Sequence, residues 1–376
     1  MSLDISSTDF ALRIYREAAA VNQSFFISPF SIMVALGMTY VGSSGNTRSQ
    51  MKAKLFESSL EDNQISSLLS SAMKSLNYNT SNGCELYLAN RLYGHLDLHV
   101  LPEFRKRIQE EYSADIEVLN FGQSEEARRR INSWIEEKTK GKIKDLIPEG
   151  ALNALTRLVL TNAIYFKANW KIQFETPLTK KATFFVTPNE EKMVDMMQME
   201  QELQYGETDE YQILGMPYVS DKLIMYFVLP KEKFGLKDVM NKLNAKKLLH
   251  SFDSAVPTQV EVRIPKFKLE YELQLKKVLQ RLGFTDMFTP NLADFSKITG
   301  SRDFYVSEAF HKAFIEINEK GSEAAAATAL VMETESVGPE RIPPRFIADH
   351  PFLFAIMDRP SRVVLFIGDY YGNAFA

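Results

Sequence analysis

"EKGSEAAAATALVMETESVGPERIPPRF", residues 319–346, places five alanines in the six positions 324–329, and alanine is the strongest helix former. Yet Gly321 opens the stretch, Gly338, Pro339, Pro343 and Pro344 close it, and no polar face recurs every three or four positions. Period two orders it better. From 322 to 334 the even positions are Ser322, Ala324, Ala326, Thr328, Leu330, Met332 and Thr334, small or apolar and uncharged. Odd positions from 323 to 335 hold all three carboxylates, Glu323, Glu333 and Glu335. A helix would scatter those charges, whereas a strand gathers them on one face and leaves the other fit for burial. The small side chains suit a tight slot between existing strands. A disordered surface loop, or a short helix capped at Ser322 that would be marginal in water, are the other readings.

The flanks bear on that choice. "VSEAFHKAFIEIN" (306–318) reads as a strand, Gly321 permits a turn or a continuation, and Pro343–Pro344 holds an extended lead into the next strand. A structureless loop of about twenty residues is unusual inside a compact domain and is commonly functional.

Working outward, the 376 residues are 45% hydrophobic, with no useful linker and no internal repeat, which predicts one domain over 1–376. A net charge of −4 argues against a nucleic-acid or polyanion binder. The basic run Arg128–Arg130 lies among Glu125, Glu126, Glu136 and Glu137, as on a solvated, charge-balanced face. The single cysteine, Cys84, excludes an internal disulfide, suits a reducing compartment and reads as a small buried hydrophobe. The N-terminus shows no signal-peptide pattern. It reads as an amphipathic helix capped near Ser7 or Thr8, with Phe10, Leu12, Ile14 and Tyr15 apolar. No segment is apolar enough to span a membrane, and the sequons at Asn22 and Asn79 matter only if the chain is exported.

The first half reads as mainly helical, including "MVALGMTYVG" and Ser124–Gly141, interrupted by a strand covered on both faces, "LVLTNAIYFKANW" (158–170). The second half is mostly strands. "YQILGMPYV" and "LIMYFVLP" form a hairpin about Ser220–Lys222, "VEVRIPKFKLE" alternates, "ELQLKKVLQRLGF" is a helix stopped at Gly283, and two buried strands flank a turn at Asp358–Ser361. The class is α+β.

"EAFHKAFIEINEKGSEAAAATA" resembles the hinge of serpins, inhibitors that trap a serine protease by inserting their own loop. "FFISPFSI", "LTNAIYFKANW", "GFTDMF" and "ADHPFLFAI" extend the resemblance, in order, over residues 8–370. Ser322 stands where threonine is commoner, Lys320 where an acid often sits, and the tail "YYGNAFA" is atypical. The resemblance is to the intracellular, ovalbumin-like, inhibitory branch. It implies about nine helices, three β-sheets and a reactive loop over about 321–343. It also implies a monomer in the cytoplasm, or secreted without a cleaved signal, with no cofactor, metal, membrane or heparin site.

Residue by residue, the resemblance assigns the hinge to Glu319, Gly321, Ser322, Glu323, Ala324, Ala325, Ala326, Ala327 and Thr328. Ser28, Ser31, Asn162 and His311 become a polar cluster beneath the main sheet that lets strands part, and Trp170 covers the point where the loop first inserts. Plain core packing is the bland reading of each. Counting seventeen residues from Glu319 puts the cleaved bond at Glu335–Ser336, which calls for a basic specificity pocket, as in granzyme-B-like or glutamate-specific proteases. Arg341–Ile342 is the rival for a trypsin-like enzyme and needs a long insertion, cleavage near Leu330 or Met332 would suit elastase- or chymotrypsin-like enzymes, and a cysteine protease is a further partner class. A carrier, chaperone or storage protein on the same fold is the alternative function.

Enzyme motifs are lacking. "VGSSG" (41–45) misses the nucleophile-elbow spacing, no H-E-x-x-H occurs, and Gly141–Lys142 is followed by Ile143 rather than Ser or Thr. His95, Asp97 and His99 share strand parity, but no further ligand accompanies them, so a solvated loop is the reading.

Overall fold

The computed structural model describes residues 3–20, 22–56, 60–75, 84–322 and 342–372. Helix α1 spans Leu3–Ala18 and buries Phe10, Leu12, Ile14 and Tyr15. It starts before Ser7 and Thr8, the expected caps, which are buried inside it. The Ser7 hydroxyl donates to the Asp4 carbonyl (3.0 Å), a back-bond within the helix, while Asp4 lies in the first turn. After β1 (Phe25–Ile27), α2 (Pro29–Gly42) begins with Ser28 as cap and Pro29 in the first turn, and every residue of it is buried. Helices α3 (Gly45–Leu55) and α4 (Asp62–Ser75) lead to strand β2 (Cys84–His95), helix α5 (Pro102–Tyr112), strand β3 (Ile116–Leu119) and helix α6 (Ser124–Lys138).

Strand β4 (Leu158–Asn169) lies on the stretch read as covered on both faces, and the reason is visible. Leu158, Leu160, Ile164 and Phe166 join the core containing α2, while Val159, Ala163 and Tyr165 join a second core with Ile131 and Ile135 of α6. Strands β5 (Lys180–Thr187), β6 (Glu190–Glu207), β7 (Tyr211–Pro217) and β8 (Leu223–Pro230) follow, β7 and β8 pairing as the expected hairpin. Then come α7 (Leu236–Lys242), α8 (Ala245–Ser254), β9 (Val256–Pro265), β10 (Phe267–Leu273), α9 (Leu275–Arg281) and α10 (Ser296–Thr299). The chain closes with β11 (Val306–Asn318), β12 (Gly321–Ser322), β13 (Arg345–Ile347), β14 (Phe352–Asp358) and β15 (Val363–Tyr370).

Two sequence expectations are corrected here. "VEVRIPKFKLE" is divided after Pro265 between two sheets, and the Lys266 N–H turns to the Asp195 carbonyl (2.7 Å). The helix before Gly283 starts only at Leu275, because Glu272 and Leu273 extend β10 against β11.

The fold is α+β, with ten α-helices among the described residues. One sheet has the order β10-β11-β12-β4-β2-β3, and the other joins nine strands, β1-β15-β14-β8-β7-β6-β9-β13 with β5 on β6. The third sheet implied by the resemblance is fused to a second because the eighteen-residue β6 pairs with β9 over Met196–Tyr205 and with β7 over Gln204–Glu207. No helix among the described residues is long and apolar enough to cross a membrane.

Candidate functional site: a closed slot with a wedge at its end

Strands β4 and β11 pair directly and in parallel, Ala309 opposite Leu160 through Phe314 opposite Tyr165. At the end of this pair the two residues of β12 sit between the same strands and run antiparallel to both. Ser322 pairs with Ile317 and Ala168, and Gly321 with Asn318 and Asn169. The sheet is therefore shut along most of β4 and wedged open at one end.

Each residue around the wedge is fixed by a specific contact. Gly321 has φ +148°, and a Cβ there would stand 2.1 Å from the Ala168 carbonyl oxygen, so only glycine passes. The Ser322 hydroxyl, fully buried, hydrogen-bonds the Tyr218 hydroxyl at 2.7 Å. Trp170 stacks on Tyr218 (centroids 4.6 Å apart), donates its indole N–H to the Asn318 carbonyl (3.0 Å) and its backbone N–H to the Lys320 carbonyl (2.8 Å). Asn318 Oδ1 accepts from the N–H groups of Lys320 (3.0 Å) and Gly321 (3.3 Å). Glu319 is buried at this corner and takes Lys266 Nζ at 3.0 Å and the Thr179 hydroxyl at 3.0 Å. Burial pushes its carboxyl pKa up, but its own backbone N–H, Lys266 and Thr179 outweigh that and hold it below the ordinary value.

Midway along the slot lies the polar cluster. Asn90 on β2, Asn162 on β4 and His311 on β11 are register partners in a row across three strands. Beneath them stands the N-terminus of α2 with Ser28 and Ser31. The Ser28 N–H donates to His311 Nε2 (3.3 Å), so the ring proton sits on Nδ1, which faces Asn162 Oδ1. Asn162 Nδ2 donates to Ser31 Oγ and Asn90 Oδ1, and Ser28 Oγ donates to the Leu365 carbonyl (2.6 Å). Full burial drives the His311 pKa down to about 3, so the ring is neutral. The structure thus brings Ser28, Ser31, Asn162 and His311 together and sets Trp170 against the wedge.

Glu323, Ala324, Ala325, Ala326, Ala327, Thr328, Glu335, Ser336 and Arg341 lie outside the described residues. Ile342 is 91% exposed, and beyond it the Pro344 carbonyl accepts from the Glu261 N–H (3.0 Å) where β13 joins β9. His95 Nδ1 contacts Asp97 (3.1 Å), and no group of three metal-ligating side chains stands together among the described residues. Cys84 is buried at the start of β2, its thiol pKa pushed up to about 12 by burial.

Sequence reasoning missed Asn90, Tyr218, Lys266 and Thr179. Asn90 had a signal, since it shares strand parity with Leu88 and Leu92 and is the polar residue on an apolar face. The other three reach the wedge from separate elements, and nothing local marks them.

The family profile described as "Serpin (serine protease inhibitor)" matches residues 5–372. Leukocyte elastase inhibitor from Sus scrofa is 39% identical, covering 97% of this chain and 98% of its own. Serpin B6 from Macaca fascicularis is 40% identical, covering 96% of each. Among solved structures, uncleaved ovalbumin superposes with a TM-score of 0.89 at 29% identity, covering 99% of this chain and 100% of its own. The chain belongs to the serpin family. Relatives named as protease inhibitors stand among its matches, and the chain is a serpin of the ovalbumin type rather than an enzyme.

Proposed function

We propose that this chain is a suicide inhibitor whose loop, once cut, continues β12 down the slot between β4 and β11. The observation that carries this is the two-sided pairing of β12 at the end of a closed parallel pair. A target serine protease attacks the carbonyl carbon of the residue before the cut. It forms an ester to its own serine and releases the downstream segment as a new amino terminus. Insertion then drags the acylated enzyme along the sheet. The twelve residues of β4 at ~3.3 Å each span roughly 40 Å.

The register favours Glu335–Ser336 as the bond. Ser322 faces Ala168 and Ile317, so paired residue numbers sum to 490 on β4 and 639 on β11. Leu158, the first residue of β4, would then face position 490 − 158 = 332. From Met332 to Glu335 is three residues, a tether short enough to press the enzyme against the end of the sheet. From Met332 to Arg341 is nine, an extended reach of roughly 30 Å that would leave the enzyme free. An acidic residue before the cut selects a protease with a basic pocket, of granzyme-B-like or glutamate-specific type. We place the protein in the cytoplasm as a monomer.

The test is incubation with glutamate-specific, granzyme-B-like, trypsin-like, elastase-like and chymotrypsin-like proteases, followed by denaturing electrophoresis and mass analysis of the released C-terminal fragment. A covalent adduct and a fragment beginning at Ser336 are expected. A fragment beginning at Ile342 moves the bond to the trypsin-like site. No adduct with any enzyme leaves the carrier or storage reading of the fold.

A further inference from the structure

Away from the slot, a cavity of about 320 Å³ opens between the C-terminal end of α1, α7, the turn joining β5 to β6, and the chain after β15. Its size falls at the lower end of small-molecule clefts, roughly 300–1,000 Å³. Leu236, Met240, Val186 and Tyr371 form a buried apolar wall, and Phe234 adds an aromatic face that is 44% exposed, a large apolar group left in solvent at the mouth.

The charges at this mouth have one sign. Arg16 and Lys237 line it, and no described lining residue is acidic. The Arg16 guanidinium is fixed at the end of α7 by donating to the carbonyls of Met240 (3.1 Å) and Leu243, which occupies part of its donor set. Lys237 is exposed and has no ion pair among the described residues, so it is the cation left for a ligand. An apolar wall with cations at its rim is complementary to an amphipathic anion, which buries its body and pairs its head.

We propose that this cavity binds a free monocarboxylate with an apolar body, of fatty-acid or aryl-acid type, with the carboxylate on Lys237 and Arg16. The site is independent of whether the reactive loop is cut. It is tested on the full chain by titration calorimetry with dodecanoate and with dodecyltrimethylammonium, both below their micelle concentrations. Saturable one-to-one binding of dodecanoate is expected, with the cation at least tenfold weaker. Lys237→Glu should weaken dodecanoate tenfold or more. Ala20→Trp, at an exposed position on the lining, should abolish binding while leaving the melting temperature unchanged. No saturable binding of dodecanoate up to millimolar concentration overturns the proposal. Equal affinity for the cation, or binding unchanged in both variants, does so too.

Discussion

A methyl group at position 321 has nowhere to go. The Cβ would meet the Ala168 carbonyl oxygen at 2.1 Å and Asn169 Cα at 2.6 Å, both backbone atoms of β4 that cannot swing aside. Gly321→Ala should therefore expel β12, lower stability by about 1–3 kcal/mol and divert most encounters with the target protease to simple cleavage. Adduct yield equal to the parent's would show that insertion does not begin at β12. His311 sets a second expectation, in pH. Its pKa falls from 6.5 in the unfolded chain to about 3 when buried, so folding is favoured fully above pH 6.5. Stability drains as pH drops from 6.5 towards 3, at up to about 1.4 kcal/mol per pH unit. In His311→Gln, which keeps a neutral polar group, the melting temperature between pH 6 and 4 should fall less steeply than in the parent. Identical slopes would remove His311 as the source. Such residues were legible unevenly. Asn162, His311, Ser28 and Ser31 were assigned through the motifs around them, whereas Lys266 and Thr179 meet Glu319 only in three dimensions.

At the scale of elements, period-two parity turned an alanine run into a strand candidate, and the register of β12 gives that reading a consequence. Residue 328 on a strand continued from Ser322 would pair with 490 − 328 = 162 and 639 − 328 = 311. Thr328 would arrive between Asn162 and His311 on the buried face, where its hydroxyl could take up the hydrogen bond those two lose as the strands part. Thr328→Arg should stall insertion there, because an unpaired guanidinium would be buried with no carboxylate beside it. The variant is expected to be cut at the parent's rate yet to give at least tenfold less covalent adduct, and an undiminished yield would refute the register. Elsewhere, sequence pattern found most strands and misplaced their limits. "VEVRIPKFKLE" alternates in two phases, apolar at even positions through Ile264 and at odd positions from Phe267, and the slip falls at Pro265, where the chain leaves one sheet for the other. Alternation reports which face is buried, not which sheet the strand belongs to. The start of α1 was misjudged for a related reason: Ser7 has the chemistry of a cap but donates backwards within the helix.

At the scale of the whole molecule, the proposed insertion implies stored free energy. One parallel ladder joins β4 and β11, and an inserted strand would replace it with two antiparallel ladders, which are slightly more stable per residue. A dozen inserted residues gain on the order of a dozen hydrogen bonds at ~1 kcal/mol net each, together with burial of the apolar face of the segment. That gain is comparable to the ~5–15 kcal/mol that holds an ordinary domain folded, and so suffices to disorder a captured enzyme. On the proposed mechanism, what keeps the uncut chain from taking it is connectivity: both ends of the loop are anchored, at β12 and at β13, and the strands cannot part without separating Asn162 from His311. Cutting the loop with a protease that is not trapped removes the first restraint. The nicked protein should melt roughly 15 °C higher for a gain of about a dozen kcal/mol, taking about 1.3 °C per kcal/mol at this chain length. Calorimetry of nicked and intact protein at one scan rate measures the difference. Equal melting temperatures would mean that the slot does not open, and that β12 is the end of a loop rather than the start of a strand.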